Sequence, residues 1–359
     1  MIEMAPSAKL LQGESNLEDI APLNAKAPFA GQKATPVRCL VAFCVFLLMQ
    51  HVSGAQDSTQ SPSQPDEDYK ITLNANMVLL SATVVDGHNA LVSGLSKNDF
   101  TLFEDGVLQP IKYFSHEDIP VTAGIVVDNS GSMGPKRSDV IASAMAFARS
   151  SNPQDQMFVV NFNERISFGL PANSPFTDQP DKLLLALSSI RTIGQTALYD
   201  GIAAALEHLK QGDRDKKVLI LLTDGDDNRS KHSLAQVIDM AKQSSAIIYV
   251  IGIFNGQDDA QKPGVLRRLA RETGGLAFFP ESSKELASIC EEIARDIRNQ
   301  YTLAYVPTTG EKSGSYRTIE VKASAPHHGH LSVRTRAGYT APSSPPVAAV
   351  KEIVRDIHH

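Results

Sequence analysis

Between residues 120 and 300, short apolar runs alternate with amphipathic stretches, and this alternation constrains the fold more than any other feature. The runs at 123–127, 157–161, 218–222, 247–253 and 276–279 are rich in β-branched and aliphatic residues, as strands buried on both faces require. Between them lie helical patterns at 136–149, 182–189, 197–210, 233–244, 265–273 and 284–299. Strands alternating with helices in this way predict an α/β domain over 119–300, built on a mostly parallel sheet with helices on its faces. A further run at 166–170 predicts an antiparallel edge strand.

Both flanks are β in character. Ahead of the domain, residues 71–85 alternate apolar and polar up to Asp86-Gly87, and Ala90-Leu91-Val92 follow as a pairing partner. Residues 99–103 then run into the turn Glu104-Asp105-Gly106, and 107–114 return. Behind the domain come runs at 301–306, 316–323 and 331–335. The simplest topology pairs these two flanks, 70–118 and 301–340, in a β-sandwich-like module with the α/β domain inserted into it. Residues 341–359 then form a Pro- and Ala-rich tail.

The first 55 residues read as a leader. The apolar stretch 40–49 follows Lys33 and Arg38 and precedes Val52-Ser53-Gly54-Ala55, whose small residues suit cleavage after Ala55. An exported protein is expected, periplasmic, at the cell surface or secreted, with an uncleaved signal anchor as the alternative and the only route to a membrane. Residues 56–69 carry little to bury and read as a flexible linker. Cys39 and Cys44 lie in the leader, so a cleaved chain keeps only Cys290, on a helical pattern where a buried structural thiol is expected. The net charge of -6, with no basic stripe, argues against nucleic acid as a partner.

The first apolar run ends abruptly in Asp128-Asn129-Ser130-Gly131-Ser132. In open α/β sheets ligands sit outside the carboxyl ends of the strands, where this loop emerges. Alone, the pentapeptide reads either as a Ser/Asp-rich turn before a helix opened by Pro135 or as a cation cradle. Two further segments favour the cradle. The run at 218–222 ends in Thr223-Asp224-Gly225, which brings a second carboxylate to the same edge, and Gly194-Gln195-Thr196 adds a hydroxyl just before the pattern at 197–210. Thr196 is also a candidate N-cap for that helix. Only oxygen donors are offered, which suits hard cations, Mg²⁺ first with Mn²⁺ or Ca²⁺ as alternatives, rather than zinc.

These three motifs, with Thr196 set in Gly194-Gln195-Thr196-Ala197-Leu198-Tyr199-Asp200, resemble a von Willebrand factor type A (VWA) domain with an intact metal ion-dependent adhesion site. The resemblance implies a Rossmann-like, doubly wound sheet. It implies that Ser130, Ser132 and Thr196 supply hydroxyl oxygens while Asp128 and Asp224 act directly or through water. It further implies protein-protein adhesion in which an Asp or Glu of the partner completes the metal shell. The flanks, with Asp99-Phe100, Glu104-Asp105-Gly106 and Arg336-Ala337-Gly338-Tyr339, resemble a secreted bacterial group best known from acidobacteria.

The resulting expectation is a metal-dependent binding protein and not an enzyme. No Gly-x-Ser-x-Gly elbow and no nearby His or Lys base accompany the cradle serines, and no Walker A loop is present. A metal-assisted extracellular hydrolase and an envelope component stiffened by its metal are the alternatives. Asp200 reads as an orienter of water or a helix-start acid, Asp226-Asp227-Asn228 as a solvated loop, and His327, His328 and His330 as a polar hairpin tip.

Overall fold

The computed structural model describes residues 77–225, 227–254, 263–308 and 314–341. The expected leader, linker and most of the tail lie outside these residues. The chain opens with β1 (Val78–Val85), β2 (Phe100–Glu104), β3 (Val107–Gln109) and β4 (Ile111–Ser115). The α/β part follows as β5 (Val121–Asp128), α1 (Arg137–Ser150), β6 (Gln156–Phe162), β7 (Ile166–Phe168), α2 (Pro180–Ser188), α3 (Leu198–Leu209) and β8 (Lys216–Thr223). It continues through α4 (Leu234–Ser244), β9 (Ile247–Gly252), α5 (Pro263–Thr273), β10 (Ala277–Phe278) and α6 (Leu286–Arg298). The closing strands are β11 (Tyr301–Tyr305), β12 (Tyr316–Ala323), β13 (Ser332–Arg334) and β14 (Gly338–Thr340). No helix among the described residues is long and apolar enough to cross a membrane.

The central sheet has the order β10-β9-β8-β5-β6-β7, parallel throughout except for β7, which pairs antiparallel with β6 as the sequence predicts. Its continuous apolar runs follow from double-sided burial. Ala123, Ile125 and Val127 face α1, α2 and α6, while Val126 on the other side of β5 packs with α3, α4 and α5. The same period of two divides β8, with Ile220 and Leu222 on one face and Leu219 and Leu221 on the other. Gly124 is required by packing. A Cβ there would lie 2.4 Å from the Phe158 ring and 2.6 Å from Leu219, so the absence of a side chain lets the ring cross β5.

The flanks do combine into two further sheets, β13-β1-β11-β4 and β14-β12-β2-β3. β1 pairs with β11, setting Leu80 opposite Leu303, and β2 pairs with β12, setting Leu102 opposite Val321. The two sheets share one core around Leu80, Leu102, Tyr301, Leu303 and Tyr305. Three details differ from expectation. The stretch 107–114 is not one strand: Pro110 has no N–H to continue the ladder, so β3 stays with β2 and β4 crosses to β11. β14 was not anticipated from the sequence pattern. His327, His328 and His330 lie on a connection between strands of different sheets, β12 and β13, and so not at a hairpin tip.

Candidate metal centre

β5 lies between β6 and β8, so Asp128, its last residue, reaches the carboxyl edge of the sheet while only 1% exposed. Each of its carboxylate oxygens accepts a hydrogen bond from a neutral donor. Oδ1 accepts the Ser130 amide at 2.8 Å, and Oδ2 accepts the Thr223 hydroxyl at 2.7 Å. Burial pushes the Asp128 carboxyl above the usual carboxylate range, and the bonds from Thr223 and Ser130 work against that shift.

From Asp128 the chain turns into a short 3₁₀ segment, Gly131–Lys136, which carries Ser132 to the open side. Ser130 Oγ lies 3.2 Å from Ser132 Oγ, and Ser132 Oγ donates to Asp224 Oδ1 at 2.9 Å. Asp224 leaves the end of β8 and is 7% exposed; Ser130 is buried and Ser132 exposed. The third loop is tied to the first through its backbone, Gly131 N to Gly194 O at 3.1 Å and Ile193 N to Asn129 O at 2.9 Å. Gly194 sits at φ +85, a left-handed conformation that a side chain would strain. Thr196 is buried beside Gly225, its hydroxyl 3.9 Å from where a Cβ on that glycine would stand. The five predicted residues are therefore gathered at one place on three loops.

The donor set fits a hard cation. A six-coordinate Mg²⁺ with bonds of about 2.1 Å has neighbouring ligands about 3 Å apart, close to the hydroxyl and carboxylate spacings here. Among the described residues no three His, Cys, Asp or Glu side chains gather to hold a metal; the cradle brings two carboxylates together with hydroxyls. Against the expectation that no Lys accompanies the cradle serines, Lys136 shares Asp224 with Ser132: its ammonium donates to Asp224 Oδ2 at 2.9 Å and to the Ile253 carbonyl at 2.6 Å.

A family model, the von Willebrand factor type A domain, matches residues 124–292, from within β5 to within α6. This stretch is a VWA domain. A von Willebrand factor type A protein from Catenulispora acidiphila is similar in structure, with 14% identity and a TM-score of 0.46 over 76% of this chain and 75% of that one. Proximal thread matrix protein 1 from the mussel byssus, in a form with a zinc-occupied MIDAS motif, shows 16% identity and a TM-score of 0.40 over 50% of this chain and 48% of its own. A protein of Borreliella burgdorferi, described as uncharacterized, is 30% identical over 101 residues, 23% of this chain, and this chain spans 30% of its length.

Several residues that shape the VWA edge were not singled out from the sequence. Thr223 is one; it reads as the end of an apolar run, yet its hydroxyl is buried against Asp128. Asn129 is another. Its side chain turns inward to the Val127 carbonyl at 3.1 Å and Asn161 Oδ1 at 3.0 Å, and Arg137 donates both to Asn129 Oδ1 and to the Leu187 carbonyl. This polar pillar under the loop was signalled only by polar residues interrupting the ends of buried strands.

Three expectations are corrected. Pro135 lies inside the 3₁₀ segment and does not open α1, which starts at Arg137. Thr196 does not cap α3; Ala197 occupies that position without a side-chain bond. The first amides of α3 are met from another loop, Tyr199 N by Asp227 Oδ1 at 3.3 Å and Asp200 N by the Ser230 hydroxyl at 3.0 Å. Asp227 and Asn228 are thus not merely solvated, since Asn228 also exchanges two bonds with the Thr196 backbone. Asp200 is a helix-start acid in the first turn of α3, as one of its two readings held, and it also accepts the Lys231 and His232 amides and a bond from the His232 ring.

Proposed function

We propose that this chain is an exported binding protein whose VWA domain holds a divalent cation, Mg²⁺ first with Mn²⁺ or Ca²⁺ as alternatives, at Asp128, Ser130, Ser132, Thr196 and Asp224. The observation that carries the reading is the convergence of these oxygens at one sheet edge, with Ser132 on the exposed side. When bound, the cation supplies an electrophilic position for a carboxylate oxygen of a partner protein presenting Asp or Glu. The chain's own part is to position donors. Thr223 and the Ser130 amide hold the Asp128 carboxylate, Asn129 and Arg137 fix the loop from below, and Gly194 allows the Thr196 loop to approach.

A catalytic role is not proposed. The cradle serines sit in no Gly-x-Ser-x-Gly elbow that would make one of them a nucleophile. The flanking sandwich serves as a stalk or spacer. The test measures thermal stability and capture of envelope proteins by the full chain in Mg²⁺ and in excess EDTA, beside Asp128→Ala. Cation-dependent stabilisation and capture, both abolished in Asp128→Ala while the circular dichroism stays native, are expected. Equal capture in Mg²⁺ and EDTA would sink the reading.

A further inference from the structure

The motif that supplies Ser130 and Ser132 also supplies a cation of its own. Lys136 ends the 3₁₀ segment, its side chain is 11% exposed, and its ammonium is held between Asp224 Oδ2 and the Ile253 carbonyl at the end of β9. The two oxygens of Asp224 are thereby divided: Oδ1 faces Ser132 and the cradle, and Oδ2 faces Lys136. Ile253 in turn donates its amide to the Thr223 carbonyl at 2.8 Å, so the lysine is clamped to the strand pair that carries Asp224.

We propose that Lys136 is a built-in counter-charge that makes the centre hold its cation less tightly and its carboxylate partner more tightly. The inference rests on the metal-site reading above. Asp128 and Asp224, when ionised, bring two negative charges, and Lys136 leaves the cradle with one. A divalent cation then gives a net charge of plus one, which an arriving carboxylate neutralises. Without Lys136 the cation alone would neutralise the cradle, and a carboxylate would arrive at a site with no remaining positive charge. A unit charge a few ångströms away in a partly buried setting changes ion affinity by about tenfold or more. Lys136 therefore moves affinity from the cation to the partner and makes retention of the cation depend on the partner's presence.

The test uses the full chain with Lys136→Gln, Lys136→Met and Lys136→Arg. Gln keeps a neutral donor for Asp224, Met removes it, and Arg keeps the charge. Free Mn²⁺ is titrated by its electron paramagnetic resonance signal. Acetate, as a minimal carboxylate, is then added at constant ionic strength and its displacement of Mn²⁺-bound water read from water-proton relaxation. Lys136→Gln and Lys136→Met are expected to bind Mn²⁺ about tenfold more tightly and acetate about tenfold more weakly, with Lys136→Arg close to the parent. If the parent binds Mn²⁺ and the neutral variants bind it equally or more weakly, the lysine is only a strut and this proposal fails alone. If the parent takes up no Mn²⁺, the metal-site reading fails and carries this proposal with it.

Discussion

Two buried carboxylates, one in the sandwich and one at the VWA edge, are treated in opposite ways. Glu104 on β2 is fully buried and meets Arg317 of β12 at 2.5 Å, with hydroxyl bonds from Tyr305 at 2.5 Å and Tyr339 at 3.0 Å. The Tyr305 phenol is driven far above its usual range by burial and by its bond to Glu104. Asp128 is equally covered, yet its direct partners are an amide and a hydroxyl. A charge that serves only the fold is neutralised inside the fold. The Asp128 carboxylate is positioned by neutral donors, which leaves its charge available to a cation.

Breaking the sandwich side should have the largest effect. Arg317→Met leaves Glu104 without its ion-pair partner, and a loss of about 3 kcal/mol is expected by urea unfolding, partly recovered in the double variant with Glu104→Gln. A loss below about 1 kcal/mol would mean that the tyrosines alone sustain the carboxylate.

At the VWA edge the sign reverses. The folded pKa of Asp128 is raised, so the folded state binds the proton more tightly than the unfolded chain. In EDTA, stability should therefore decline as pH rises from the ordinary carboxylate range through the raised value, and be regained below it. Asp128→Asn should remove this decline, melting higher than the parent at pH 7.5 in EDTA, but gaining nothing from Mg²⁺. A variant less stable than the parent in EDTA would show that the two neutral bonds already make the ionised carboxylate favourable.

The smallest change concerns the loop that continues beyond Asp224. Asp227→Ala removes the bond to the Tyr199 amide at the start of α3 and should cost about 1 kcal/mol in thermal unfolding, with Asp227→Asn near the parent. An unchanged melting temperature in the alanine variant would leave α3 held by Ser230 and packing alone.

The α/β alternation and the oxygen-bearing loops at one sheet edge were legible because each depends on local pattern. A strand buried on both faces must be continuously apolar, and a ligand loop must switch to polar residues where the strand ends. The pillar of Asn129, Asn161 and Arg137 was less legible, since its members come from separate elements and each alone is an ordinary polar residue. Lys136 was read only as the start of a helix pattern, and its charge gains meaning from Asp224, which lies 88 residues away. The splitting of 107–114 had a visible signal in Pro110, but which sheet β4 would join depended on β11.

By itself the sequence determined most of the strands and helices and which loops carry oxygen donors, because burial and hydrogen-bonding demands act over a few neighbouring residues. Only the tertiary structure decided that the flanks close into one sandwich, that Asp128 faces neutral donors while Glu104 faces an arginine, and that Lys136 stands behind Asp224. These are contacts between residues distant in the chain, and their geometry is set by how the layers pack.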